Sequence, residues 1–163
     1  MSELRRDIMA RISQVENERR ERERLASEER ARQVASQEAA ERRKSEGERI
    51  AAELVELLKS EGVPTLPIVN ISNGETRTLG HGWHVFTGSE YMGDGASMPD
   101  TGFGLSTDGK PLADFRPNTQ YILRPSVIAT SQWVQFFEEE PFLNGVASLI
   151  AGHGPYRTDR TFG

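Results

Sequence analysis

The chain has 163 residues, no cysteine and a formal net charge of −5. The lack of cysteine excludes disulfides, thiolate metal sites and a cysteine nucleophile. Non-specific phosphate binding needs a basic excess that neither half carries: residues 1–61 hold 14 basic and 15 acidic side chains, and residues 62–163 hold 6 and 10.

Composition breaks sharply after Glu61. Every Trp, Tyr, Phe and Pro lies beyond it, and Gly47 is the single glycine before it. The break separates a long polar helix without a core of its own from a segment of about a hundred residues, large enough for one core but with little stability to spare. The expected organisation is a charged helical arm over 1–60, a linker over 61–65, a small α+β domain over 66–155 and a tail over 156–163. Arginine outnumbers lysine 17 to 3, the bias of a GC-rich genome, which points to a bacterium or its phage. Residues 1–15 mix acids with apolar residues, so no secretory signal is expected. The apolar runs at 50–55 and 146–151 are too short to span a bilayer. The expectation is a cytoplasmic protein without a membrane partner.

In the arm, Glu, Arg, Ala and Gln favour helix and no proline interrupts them. Opposite charges recur four residues apart in the favoured order: Glu16 with Arg20, Glu18 with Arg22, Glu28 with Arg32, and Glu38 with Arg42. Leu4, Ile8, Ile12 and Val15 form an apolar stripe near the start. Ile50, Leu54 and Leu57 form another near the end, and only Leu25 and Val34 are large and apolar between them. A heptad seam through Leu4, Ile8 and Val15 next meets Glu18, Arg22, Leu25, Glu29 and Arg32, so it lacks the sustained apolar positions of a strong coiled coil. Three readings stay open: a weak coiled coil, an isolated charged helix, or a segment that folds on a partner. Leu4, Ile8, Val15, Leu25, Ile50 and Leu54 are the candidate oligomerisation residues. Gly47 is the expected hinge, with the segment after it packing on the domain.

Beyond the arm, Gly62 and Pro64 stop the helix. Residues 66–72 read as a strand whose early Pro67 suits an edge or a strand start. Asn73 and Gly74 form a strong hairpin signal. The return strand runs over 75–79 and on through 83–87. Residues 88–104 read as a long irregular excursion. A second hairpin follows, with strands at 103–106 and 112–115 around Asp108 and Gly109, then a short strand over 120–123. Trp133, Phe136 and Phe137 give one helix an apolar face. Pro141 opens a second helix, with Phe142, Leu143, Val146, Leu149 and Ile150 as its stripe and Gly152 as its stop. Strands then helices give the α+β class: a long charged N-terminal helix followed by a small antiparallel sheet of four or five strands closed by two C-terminal helices.

Few residues suggest chemistry. His81 and His84 flank Trp83, but positions three apart on a strand face opposite ways, so one metal would require a bulge at Gly82. A small hydrolase or metal-dependent enzyme using His81, His84 and Asp94 is the alternative reading, and no metal or cofactor is the expectation. The segment from Gly93 to Ser97 has neither the lysine of a phosphate loop nor the spacing of a calcium loop. The acids at 138–140 read as a solvated helix end. Trp83, Phe86, Tyr91 and Phe103 surround the excursion, either as an exposed aromatic surface or as core beneath it. The favoured expectation is a non-enzymatic interaction or assembly protein: its arm oligomerises or docks, and its aromatic surface takes a protein or peptide. A structural component of a phage or other large assembly is a further alternative.

Overall fold

The computed structural model describes residues 2–89 and 100–159. The chain divides into two compact units, Met1–Arg42 and Arg43–Gly163. Helix α1 covers Glu3–Ser60 and so contributes to both.

The first unit is helix alone. Among its described residues every side chain is exposed except that of Ala39, which is half-buried. Of the four expected charge pairs only Glu38 with Arg42 forms, at 3.9 Å. Arg24 instead takes both Glu21, three residues before it, and Glu28, four after it. That leaves Glu28 engaged from its N-terminal side.

The second unit begins with the end of α1. Gly47, Ala51, Val55 and Leu58 recur at helical spacing and are all buried, so this stretch is held by packing. Gly47 is no hinge. A Cβ there would lie 2.9 Å from the Cβ of Trp133, so the glycine is what allows that tryptophan to approach the helix. Gly62, at φ +68°, ends the helix: its amide donates to the Lys59 carbonyl, and the Val63 amide donates to the Leu58 carbonyl.

Strands β1 (Leu66–Ser72) and β2 (Glu75–Gly88) form a hairpin around Asn73 and Gly74. Both turn residues have positive φ, as the tight two-residue turn requires. Strands β3 (Thr101–Ser106) and β4 (Pro111–Phe115) continue the sheet, followed by the two-residue strands β5 (Ile122–Leu123) and β6 (Ser126–Val127). After a 3-10 turn come α2 (Trp133–Glu138) and α3 (Glu140–Ile150), and then β7 (Tyr156–Thr158). The order across the sheet is β5-β1-β2-β3-β4-β6, with β7 beside the far end of β2.

Among the described residues seven strands replace the expected four or five, and the sheet is mixed. β5 runs parallel to β1, and β7 runs parallel to β2 through the pairs Phe86 with Tyr156, Thr87 with Arg157 and Gly88 with Thr158, which draw part of the expected tail into the sheet. The two edge strands β5 and β6 are separated in sequence only by Arg124 and Pro125. The sheet therefore curls until its edges lie a dipeptide apart, though no ladder joins them and it stays open.

One face of the sheet packs under the helices. Its core joins Ala51, Val55 and Leu58 of α1 to Trp83, Val85, Phe86, Phe103 and Leu105 of the sheet, and to Trp133, Phe136, Phe137, Phe142 and Val146 of α2 and α3. The opposite face holds a smaller cluster of Ile68, Leu112, Phe115 and Ile122.

Candidate functional site

The pairing of β2 with β3 is regular through Gly82, Trp83 and His84, then shifts before Phe86. Val85 is the extra residue, and this bulge lets Val85 and Phe86 both join the helix-side core. Phe86 stacks on Phe103 at a centroid distance of 4.5 Å and meets Phe136 at 6.2 Å.

These contacts overturn the reading of Trp83, Phe86 and Phe103 as a binding surface. Each is only 1% exposed. Their area is already spent inside the domain, where an aromatic side chain contributes most to stability. Tyr91, the fourth residue of the expected surface, lies outside the described residues. The irregular excursion shortens from its C-terminal side, because β3 already starts at Thr101.

The two histidines are not brought together. No bulge occurs at Gly82, so His81 and His84 take opposite faces of β2. His81 is exposed and lines a cleft with Asn70, Asp108 and Arg124. His84 is buried, and its ring meets Phe115 edge-on at 5.1 Å. Its Nε2 lies 3.2 Å from the Phe86 carbonyl and 3.0 Å from the Thr87 hydroxyl oxygen. A carbonyl only accepts, so Nε2 carries the proton and donates, and Nδ1 is the lone-pair nitrogen. Burial holds the His84 pKa below the ordinary histidine value, against the opposing effect of the Phe86 carbonyl. This is a neutral imidazole tied into its own strand. Asp94, the third residue of the hydrolase or metal reading, lies outside the described residues, as do Gly93 and Ser97. Among the described residues no three His, Asp or Glu side chains group as metal ligands would.

His84 also borders a cleft of about 940 Å³. Its walls are Val63, Pro64 and Leu66 on one side, Pro117 and Gln120 on another, and Leu149 and Pro155 on a third. Trp83 forms part of the floor, its indole N–H donating to the Val63 carbonyl at 3.0 Å. The cleft is therefore apolar with a few amide groups at its rim, a chemistry suited to apolar side chains. Sequence reading missed it because its walls come from segments up to ninety residues apart. The prolines at 64, 117 and 155 are the only local trace of it.

The oligomerisation residues divide in two. Ile50 and Leu54 are half-buried against the domain's own core, which corrects their assignment to a partner interface. Leu4, Ile8, Val15 and Leu25 are exposed at 69, 48, 64 and 50%. With Ile12, the first three form one stripe on the arm. No helix among the described residues is long and apolar enough to cross a membrane. No protein-family model, curated protein or solved structure matches this chain.

Proposed function

We propose that this chain is a non-enzymatic assembly module, in which the charged arm associates through its N-terminal stripe and the α+β domain takes a protein or peptide segment. One observation carries the reading: Leu4, Ile8, Ile12 and Val15 align on one face of a helix and are each at least 46% exposed. Four large aliphatic side chains so arranged favour burial against another helix. On the domain, the proline- and leucine-walled cleft beside His84 replaces the aromatic surface as the place for an extended apolar segment. No nucleic acid is expected at either place, because the arm is nearly neutral and the rest of the chain is acidic. The cysteine-free composition is compatible with a reducing cytoplasm, where we place the protein.

Light scattering on the intact chain across a concentration series tests this. The expected mass is a multiple of 18.2 kDa that falls to the monomer value in the variant Leu4→Asp/Val15→Asp. A monomer at every concentration for the unaltered chain would remove self-association from the proposal.

A further inference from the structure

We infer that the arm pairs with the same segment of a second copy in antiparallel register, Val15 of one chain lying opposite Leu25 of the other. This rests on the assembly reading above and names both the partner and its direction.

Leu4 and Ile8 set a seam along the arm. Continued at heptad spacing it passes through Arg11, Val15, Glu18, Arg22, Leu25, Glu29, Arg32 and Ser36. All of these are exposed on the helix. In a parallel pair each seam residue meets its own copy, so Arg11, Glu18, Arg22, Glu29 and Arg32 form five layers of like charge, interrupted only by Val15 and Leu25. Like charges at helix interfaces select against that arrangement.

Reversing one helix changes the outcome. With Val15 set against Leu25, Glu18 faces Arg22 and Arg11 faces Glu29, and two-fold symmetry repeats each match. Leu4 then meets Ser36, and Arg32 lies over Ile8, where its aliphatic stem covers the side chain while the guanidinium reaches water. The polar middle that weakens a parallel coiled coil becomes a run of complementary charges.

The ion pairs within the helix are consistent with this. The pairs formed within the first unit are Arg19 with Glu23, Arg24 with Glu21 and Glu28, and Arg42 with Glu38, all off the seam. Arg11, Glu18, Arg22 and Glu29 form none among the described residues, though Glu18 and Glu29 accept amide hydrogen bonds from Gln14 and Gln33. Near the two-fold axis Arg19 and Glu21 approach their own symmetry mates. Their in-helix partners Glu23 and Arg24 reduce that cost.

Because the chain has no cysteine, single cysteines report the register directly. Full-length Val15→Cys and Leu25→Cys chains are oxidised separately and as an equimolar mixture, then separated without reductant. A disulfide needs Cα atoms within about 7 Å, so only chains that place the two positions side by side will bridge. The expected result is a covalent dimer in the mixture, at least tenfold more abundant than in either variant alone. Bridging of Val15→Cys to itself, equal to or above that of the mixture, overturns the antiparallel register but leaves self-association standing. No bridging anywhere, with monomeric mass for the unaltered chain, overturns both.

Discussion

Residues 3–42 and 43–60 belong to one helix, yet different forces hold them. The earlier stretch buries almost nothing, and its helicity rests on residue propensity and local pairs such as Arg24 with Glu21, each contributing only about 0.2–0.5 kcal/mol. The later stretch buries Gly47, Ala51, Val55 and Leu58, the last three in a core shared with α2, α3 and strands β2, β3 and β4. Helix sustained by propensity is graded and tolerant of single changes. Helix sustained by packing shares the domain's cooperativity, so an altered side chain there is felt by the whole unit.

The contrast is tested most severely inside the core. Phe136 is fully buried and meets the rings of Phe86, Phe137 and Phe142. Phe136→Ala is expected to lower unfolding free energy by about 3–5 kcal/mol, measured as a shift of the urea midpoint. Leu25→Ala on the arm should move that midpoint by no more than about 0.5 kcal/mol. If the two shifts were similar, the arm would share the domain's core, and the distinction drawn between them would fail.

Smaller effects come from the close approaches that glycine permits. At Gly145, where α3 crosses β2, a Cβ would sit 2.4 Å from the Val85 carbonyl oxygen. Gly145→Ala should cost about 1–3 kcal/mol. Gly47→Ala sharpens the comparison further, because it can be set against another substitution to alanine, a better helix former, on the same helix. The alanine gains about 1 kcal/mol of helix propensity. It also forces Trp133 to shift, since the obstructing atom is a Cβ fixed to the backbone. A net loss of about 1 kcal/mol is expected, whereas Ser36→Ala on the arm should raise helicity measured by circular dichroism. A stabilised Gly47→Ala protein would restore the glycine as a mere weak point.

That glycine shows where sequence reading stops. Local rules carried well: the hairpin at Asn73 and Gly74, the helix stops at Gly62 and Gly152, and Pro141 in the first turn of α3 all depend on backbone geometry within a few residues. The α+β class followed from them. What escaped depends on distant partners. Gly47 reads as flexibility until Trp133 is placed beside it. Phe86 reads as exposed surface until the Val85 bulge turns it under the helices, where it stacks on Phe103. The parallel pairings of β5 and β7 leave no periodic trace in two or three residues. For the candidate sites, the exposed stripe of the arm was legible because no fold intervenes. The cleft beside His84 was not, because only the fold assembles it.

His84 adds a condition under which the two regions separate. Burial lowers its pKa in the folded domain, so the unfolded chain binds more protons once the pH falls below about 6.5. The contribution is therefore fully present above that pH and is lost as the pH falls toward the folded value. The loss is at most about 1.4 kcal/mol per pH unit for one group. Urea midpoints at pH 8 and 5.5 should show it, and His84→Gln should flatten the dependence. Confining the range to pH 5.5 and above keeps Glu21 and Glu46 charged, since their arginine partners hold both below the ordinary carboxylate range. A pH dependence unchanged in His84→Gln would place its origin elsewhere.

The least disruptive change should separate the regions most cleanly. In antiparallel register Glu18 of one arm faces Arg22 of the other twice per dimer, so Glu18→Arg or Arg22→Glu alone converts two attractions into two repulsions. Exposed pairs contribute about 0.5 kcal/mol each, so losing two and gaining two repulsions of like size changes dimerisation by about 2 kcal/mol, roughly thirtyfold in affinity. The double variant Glu18→Arg/Arg22→Glu re-forms both pairs and should return to within about threefold of the unaltered chain. In a parallel pair the double variant would instead keep two layers of like charge. Near 1 M salt, where the screening length is about 3 Å, the differences among the variants should shrink. Sedimentation equilibrium measures all three, and urea unfolding of the domain should not distinguish them. Dimer affinities that match across the series, with the domain unmoved, would take this charge pair out of the interface and leave the apolar stripe as the sole basis for association.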